Sequence, residues 1–116
     1  MFKVYQIHPQ QAVYESVNSV GHIEAGKQFP IWKAKLDIMS GSEGFTPEYS
    51  THYSHVADID AEDLERVFHV GNMGPESAIT RHSRMHSVSV GDIVVDESGQ
   101  GYMVDPVGFS PVEFSV

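Results

Sequence analysis

Histidine is abundant in this chain: there are 7 in 116 residues, beside 16 acidic side chains, 7 basic ones and no cysteine. Two pairs, His52 with His55 and His82 with His86, have separations that suit shared coordination of a metal ion when the backbone cooperates. The first pair falls in "THYSHVADI", which reads as a strand, and residues three apart on a strand point to opposite faces. The second pair would align on a helix, but its segment reads as a loop. The Asp-x-Asp step at Asp58 and Asp60 is another candidate for a divalent cation, although helix capping explains the acidic residues there more simply. No metal site is expected. An enzyme would need an acid and a base brought together, and His86, Ser87 and Asp92 lie close in sequence. The nearer reading is that the Ser87 and Ser89 hydroxyls bond the backbone where the chain enters a strand, while Asp92 closes a turn. There is no phosphate loop, dinucleotide fingerprint, nucleophile elbow or His-Glu-x-x-His helix, and no cofactor is expected.

The elements that must position these residues follow from periodicity. "FKVYQI", Phe2 to Ile7, suits a strand. Residues 9–30 show no clear period, although Ala12, Val13, Ser16 and Val17 would share one face of a short helix. In "WKAKLDI" the apolar Trp32, Ala34, Leu36 and Ile38 alternate with Lys33, Lys35 and Asp37, which predicts a half-buried strand. "SGSEGFTPEYS" supplies turn residues, and the next strand has Tyr53, His55, Ala57 and Ile59 on one face. "DIDAEDLERVFHVGNMG" predicts the main helix, Asp60 to Val70. Its expected features are Asp60 as N-cap, Glu62 and Asp63 at the positive end of the dipole, Leu64, Val67 and Phe68 as buried stripe, and Gly71 with Asn72 as stop.

"HSVSVGDIVVDESGQGYMVDPVGF" completes the pattern. A Gly-Asp turn precedes Ile93, Val94 and Val95, and "DESGQG" reverses the chain into "YMV". Ile93 and Val95 should face the core while Val94 meets a second apolar layer. Phe109, Val112 and Phe114 extend the apolar side, and Pro106 and Pro111 mark bends or an edge strand. The expected fold is one α+β domain: a strongly bent, mainly antiparallel sheet of about five or six strands, with closure toward a barrel entertained, and the helix at about 60–70 packed against it.

Composition narrows the function classes. With 41% hydrophobic residues the chain can bury a core, and without cysteine it has neither disulfides nor thiol chemistry. The opening "MFKVYQIHPQ" lacks a basic segment followed by a long apolar one, and no apolar run approaches the length of a membrane span, so a soluble cytoplasmic protein is expected. A formal net charge of -9 disfavours direct nucleic-acid binding, which draws its affinity from phosphate neutralisation. It leaves open an acidic mimic that blocks a nucleic-acid-binding protein.

"DLERVFHVGN", followed after a short gap by "HSVSVGDIVVDESGQGYMVDPVGF", resembles the YodL-like group of small proteins and domains of plasmids, phages and other mobile elements. Members of that group show a Leu-Glu, Phe and Asn helix, a His-Ser-x-Ser-Val-(Gly or Ser)-Asp strand and a closing Gly-Phe. The likeness spans Asp63 to Phe109. It implies a compact α+β domain in a mobile genetic context and no established enzyme activity. Where the group has an extended polar loop, this chain has "MGPESAITRHSRM".

The expected function is therefore a non-catalytic accessory or interaction domain that binds a protein or small ligand, with self-association into a homodimer left open. Binding should occur at the polar edge between Asn72 and Ser89, where Asn72, His86 and Tyr102 would converge. The alternatives are a small enzyme built on His and Asp residues beside that edge, and the acidic mimic.

Overall fold

A computed structural model of the protein describes residues 1–115. Strand β1 (Phe2–Ile7) leads into three short helices, α1 (Gln11–Val20), α2 (His22–Gln28) and α3 (Pro30–Asp37). Two 3-10 turns then bring the chain to β2 (Tyr53–Ile59), α4 (Leu64–Met73) and β3 (Ile79–Arg81). It ends in β4 (Ile93–Val95), β5 (Gly101–Val104) and β6 (Phe109–Val112). The strands form one six-stranded sheet in the order β3-β2-β1-β4-β5-β6, with every pairing antiparallel. The sheet is bent and open: β3 and β6 are both edges, so it does not close into a barrel. The fold is α+β, as the sequence implied. Among the described residues, no helix is long and apolar enough to cross a membrane.

Alternation along the strands distributes the core to two faces. Val4, Val94 and Val104 pack with Val67 and Val70 of α4 on one side. Tyr5, Ile7, Ile93, Val95 and Met103 pack with Ala34 and Ile38 on the other. Ile93 and Val95 thus lie opposite Val94, as expected for a strand buried on both faces. The β4–β5 turn is closed by Asp96, whose carboxylate accepts from the Ser98 and Gln100 amides at 2.9 and 3.0 Å. Pro111 lies in the edge strand β6, where its missing amide hydrogen costs little.

The segment expected to be a strand at Trp32–Ile38 is helical instead. Period-two alternation over so few residues also creates two i,i+4 pairs, Trp32 with Leu36 and Ala34 with Ile38. The first pair packs with Val13 and Ala25 against α1 and α2, and the second enters the sheet core. Both sides of α3 are therefore buried, while Lys33 and Asp37 form an i,i+4 ion pair at 2.8 Å on a third side. Pro30 occupies the first turn, where its fixed φ favours a helix and its missing N–H is no loss. The short helix expected around Val13 and Val17 is α1, with Val13 buried.

The main helix begins and ends about three residues later than expected. Asp60 lies just past β2 and outside the helix, its amide bonded to the Ala78 carbonyl at 2.9 Å. Asp63 is the N-cap, accepting from the Arg66 amide at 2.8 Å. Gly71 lies within the helix rather than ending it, and glycine is required there because a β-carbon would collide with Val88. The left-handed stop is Gly74, at φ 85°. The buried residues are accordingly Val67 and Val70, Leu64 is partly buried, and Phe68 is on the surface at 41% exposure.

Candidate functional site

Polar residues within the sheet core converge where β1 meets the segment entering β4. Gln6 is fully buried on β1, and its side chain works as a backbone substitute. Its Oε1 accepts from the His86 amide at 3.2 Å, and its Nε2 donates to the His86 carbonyl at 3.0 Å. Nε2 also donates to Asp92 Oδ2 at 3.0 Å, and His8 Nε2 donates to Gln6 Oε1 at 2.9 Å. One amide side chain thereby fixes a loop remote in sequence against the central strand.

Asp92 closes the turn that the "SVGD" sequence indicates. Oδ2 accepts from the Ser89 amide at 2.9 Å, the Asp92 amide donates back to the Ser89 carbonyl at 3.0 Å, and Gly91 between them takes φ 93°. Ser89 Oγ bonds the Ser87 carbonyl at 2.8 Å, the local backbone role expected of it. Burial of Asp92 pushes its carboxyl up to about 6, against the opposing pull of the Ser89 amide, His86, Gln6 and Lys35. His86 Nδ1 lies 3.9 Å from Asp92 Oδ2 and donates to the Ser87 carbonyl at 2.7 Å, leaving Nε2 for another partner. On the far side of His86, the His8 ring lies 4.9 Å away. Burial first, then the charges of His86, Lys35 and Arg84, lower the His8 pKa.

This cluster forms one wall of a cleft of about 530 Å³. His86, Ser87, Ser89 and Asp92 supply the polar wall, and Trp32, Leu36 and Ile38 the apolar one. Helix α3 positions the apolar wall, with His22 of α2 stacked on Trp32 at 5.8 Å between ring centroids. Trp32 is 7% exposed and its Nε1 is buried without a hydrogen-bond partner. Met39 and Val90 stand exposed in the lining, and Lys35 places a cation there.

The three residues expected to converge are divided. Asn72 and His86 share a shallow depression with Met85 and Ser87. Asn72 is nonetheless a structural tie, donating through Nδ2 to the Phe68 carbonyl at 2.8 Å and the Val88 carbonyl at 3.1 Å. Tyr102 lines a different concavity, with Phe2, Leu64 and Phe109 under α4. It is separated because β5 lies beyond β4 in the sheet, whereas His86 is bonded to β1. Only His86 of the three belongs to the cleft. Gln6, Trp32, His22 and Lys35 were not singled out by sequence; the lone tryptophan and a glutamine inside an otherwise core-facing strand end were the available signals. The histidine pairs of the sequence do not form either: His52 lies beside Tyr49, and His55 meets His82.

The protein is thus defined as an α+β chain with an open antiparallel sheet, helices on both faces and a half-polar cleft at the end of β1. No family model, curated protein or solved structure matches the chain.

Proposed function

We propose that the protein is a non-catalytic accessory domain that binds a small ligand in the cleft between α3 and residues 86–92. The observation that carries this reading is the division of the cleft: Trp32 and Leu36 face fixed polar groups of His86, Ser89 and Asp92 across a volume of about 530 Å³, the size range of small-molecule sites. A flat ligand would lie against the apolar wall and present a hydrogen-bond donor to His86 Nε2. Asp92 argues for binding over catalysis, because Oδ2, its oxygen nearer His86, already serves the Ser89 amide and Gln6. The order of motifs from Asp63 to Phe109, similar to the YodL-like group, supports an accessory role on a mobile element. Neighbouring genes of plasmid or phage type would agree with that context, and a fixed housekeeping neighbourhood would count against it.

Trp32 is the chain's only tryptophan, so its fluorescence reports on the cleft directly. Titration with a panel of planar heterocyclic amines and aromatic acids should give a saturable change for at least one class. His86→Ala should weaken that response about tenfold, the loss of one good hydrogen bond. A flat response across the panel, or saturation indifferent to His86→Ala, would remove the cleft as the site.

A further inference from the structure

A second cluster of side chains stands apart from the cleft residues and owes its existence to an irregularity in β2. In a regular strand His55 and Asp58 would point to opposite faces. The register with β1 sets Val4 opposite Ala57 and Tyr5 opposite His55, leaving Val56 without a partner as a β-bulge. Val56 and Ala57 both enter the core beneath α4. Alternation inverts beyond them, and Asp58 emerges on the same face as His55. The bulge also brings in a third residue: the Val56 carbonyl accepts from the His82 and Ser83 amides at 2.8 and 3.3 Å, holding His82 just past β3.

The outcome is a compact set of donors. His55 Nε2 lies 2.7 Å from Asp58 Oδ1, and His82 Nε2 lies 2.8 Å from Asp58 Oδ2. The imidazole centroids are 4.7 Å apart, and one donor atom from each residue lies within 4.8 Å of the other two. Tyr5 stacks on His55 at 5.1 Å and fixes its ring plane.

We propose that His55, Asp58 and His82 form a binding site for a divalent transition-metal ion, zinc being the best-suited member of the class. Two imidazole nitrogens and one carboxylate oxygen favour zinc and its borderline neighbours over magnesium or calcium, which require mostly oxygen ligands. Seating the ion replaces two hydrogen bonds by coordination: each neutral imidazole carries its proton on Nδ1 and turns the Nε2 lone pair to the metal, and a ring that starts as imidazolium gives up one proton to solvent. Three protein donors leave a fourth position for water or an external ligand. The side chains are 32%, 22% and 41% exposed for His55, Asp58 and His82, so that position is open to solvent. Lys3 faces Asp58 across the β1–β2 pairing, but its side chain is exposed and can turn to water. The bound ion would fasten the edge strand β3 to β2, outside the reach of the cleft and independent of its ligand.

The test titrates the full chain with zinc chloride by calorimetry and with cobalt(II) by visible absorption. One equivalent should bind, cobalt should develop the intense bands of a four- or five-coordinate centre, and zinc should raise the melting temperature. His55→Ala, Asp58→Asn and His82→Ala should each weaken binding by at least about tenfold, while His86→Ala leaves it unchanged. Circular dichroism of the metal-free variants confirms that each is folded, and Asp58→Asn keeps the shape of the side chain if either alanine variant fails. Absence of one-equivalent binding by the parent protein would overturn the proposal. So would full affinity in folded Asp58→Asn and His82→Ala, or a loss confined to His86→Ala.

Discussion

Asp92 is a buried acid whose surroundings alter its chemistry. Burial raises its carboxyl from 3.8 to about 6 in the folded protein. The folded state therefore keeps this proton over a range in which the unfolded chain has already lost it. Stability contributed by the group is present at low pH and is lost as pH rises from about 4 to about 6, by roughly 3 kcal/mol for a shift of this size. Asn at this position keeps an acceptor for the Ser89 amide and Gln6 without the titration. We expect Asp92→Asn to gain on the parent protein by that amount between pH 4 and 7 in denaturant unfolding. Parallel pH profiles would show that Asp92 is not held protonated. Gln6 is the complementary case: Gln6→Ala strips partners from the His86 amide and carbonyl and from Asp92. It should cost about 3 kcal/mol, measured by the same unfolding.

At the scale of elements, α4 makes the sharpest contrast between buried and exposed positions. Val67 is fully buried and Phe68, its neighbour, is 41% exposed. Val67→Ala should cost about 2 to 3 kcal/mol, and Phe68→Ala about 1 kcal/mol despite removing the larger side chain. The reverse order in thermal or denaturant unfolding would mean that the helix is rotated from the orientation described. The strands β4 and β5 were legible because each combines an apolar run with turn residues at its ends, and "DESGQG" closes its hairpin by local chemistry alone. Helix α3 was not, because Trp32, Ala34, Leu36 and Ile38 satisfy a strand period and two helical pairs equally. Only the presence of α1 and α2 on the side of Trp32 decides between them. The stop of α4 was misplaced for a similar reason. Gly71 reads as a helix end, yet its missing side chain admits Val88 from a distant loop. The bulge at Val56 has no signature of its own, and with it the meeting of His55, Asp58 and His82 was invisible.

The whole molecule is longer than it is wide, with extents of 43 × 25 × 24 Å. Its sheet is covered by α4 on one face and α3 on the other, and the satellite core of α1, α2 and α3 centred on Trp32 builds the far wall of the cleft. The candidate site was half legible. His86, Ser89 and Asp92 are close in sequence and announce a turn, while Gln6 reaches His86 across 80 positions and Trp32 arrives through a helix read as a strand. Tyr102 lies apart from His86, in a different concavity, because neighbouring strands in a hairpin do not share every surface. The central claim is that the cleft between α3 and residues 86–92 is where this protein meets its ligand. Backbone amide NMR of the labelled chain, titrated with the heterocycle that changes Trp32 fluorescence, tests it most directly. The account predicts shifts concentrated at Lys35, Leu36, His86, Ser89 and Gly91 and little change at Tyr102, His55 or His82. Shifts centred on Tyr102 and Phe109, or spread without focus over the surface, would contradict it.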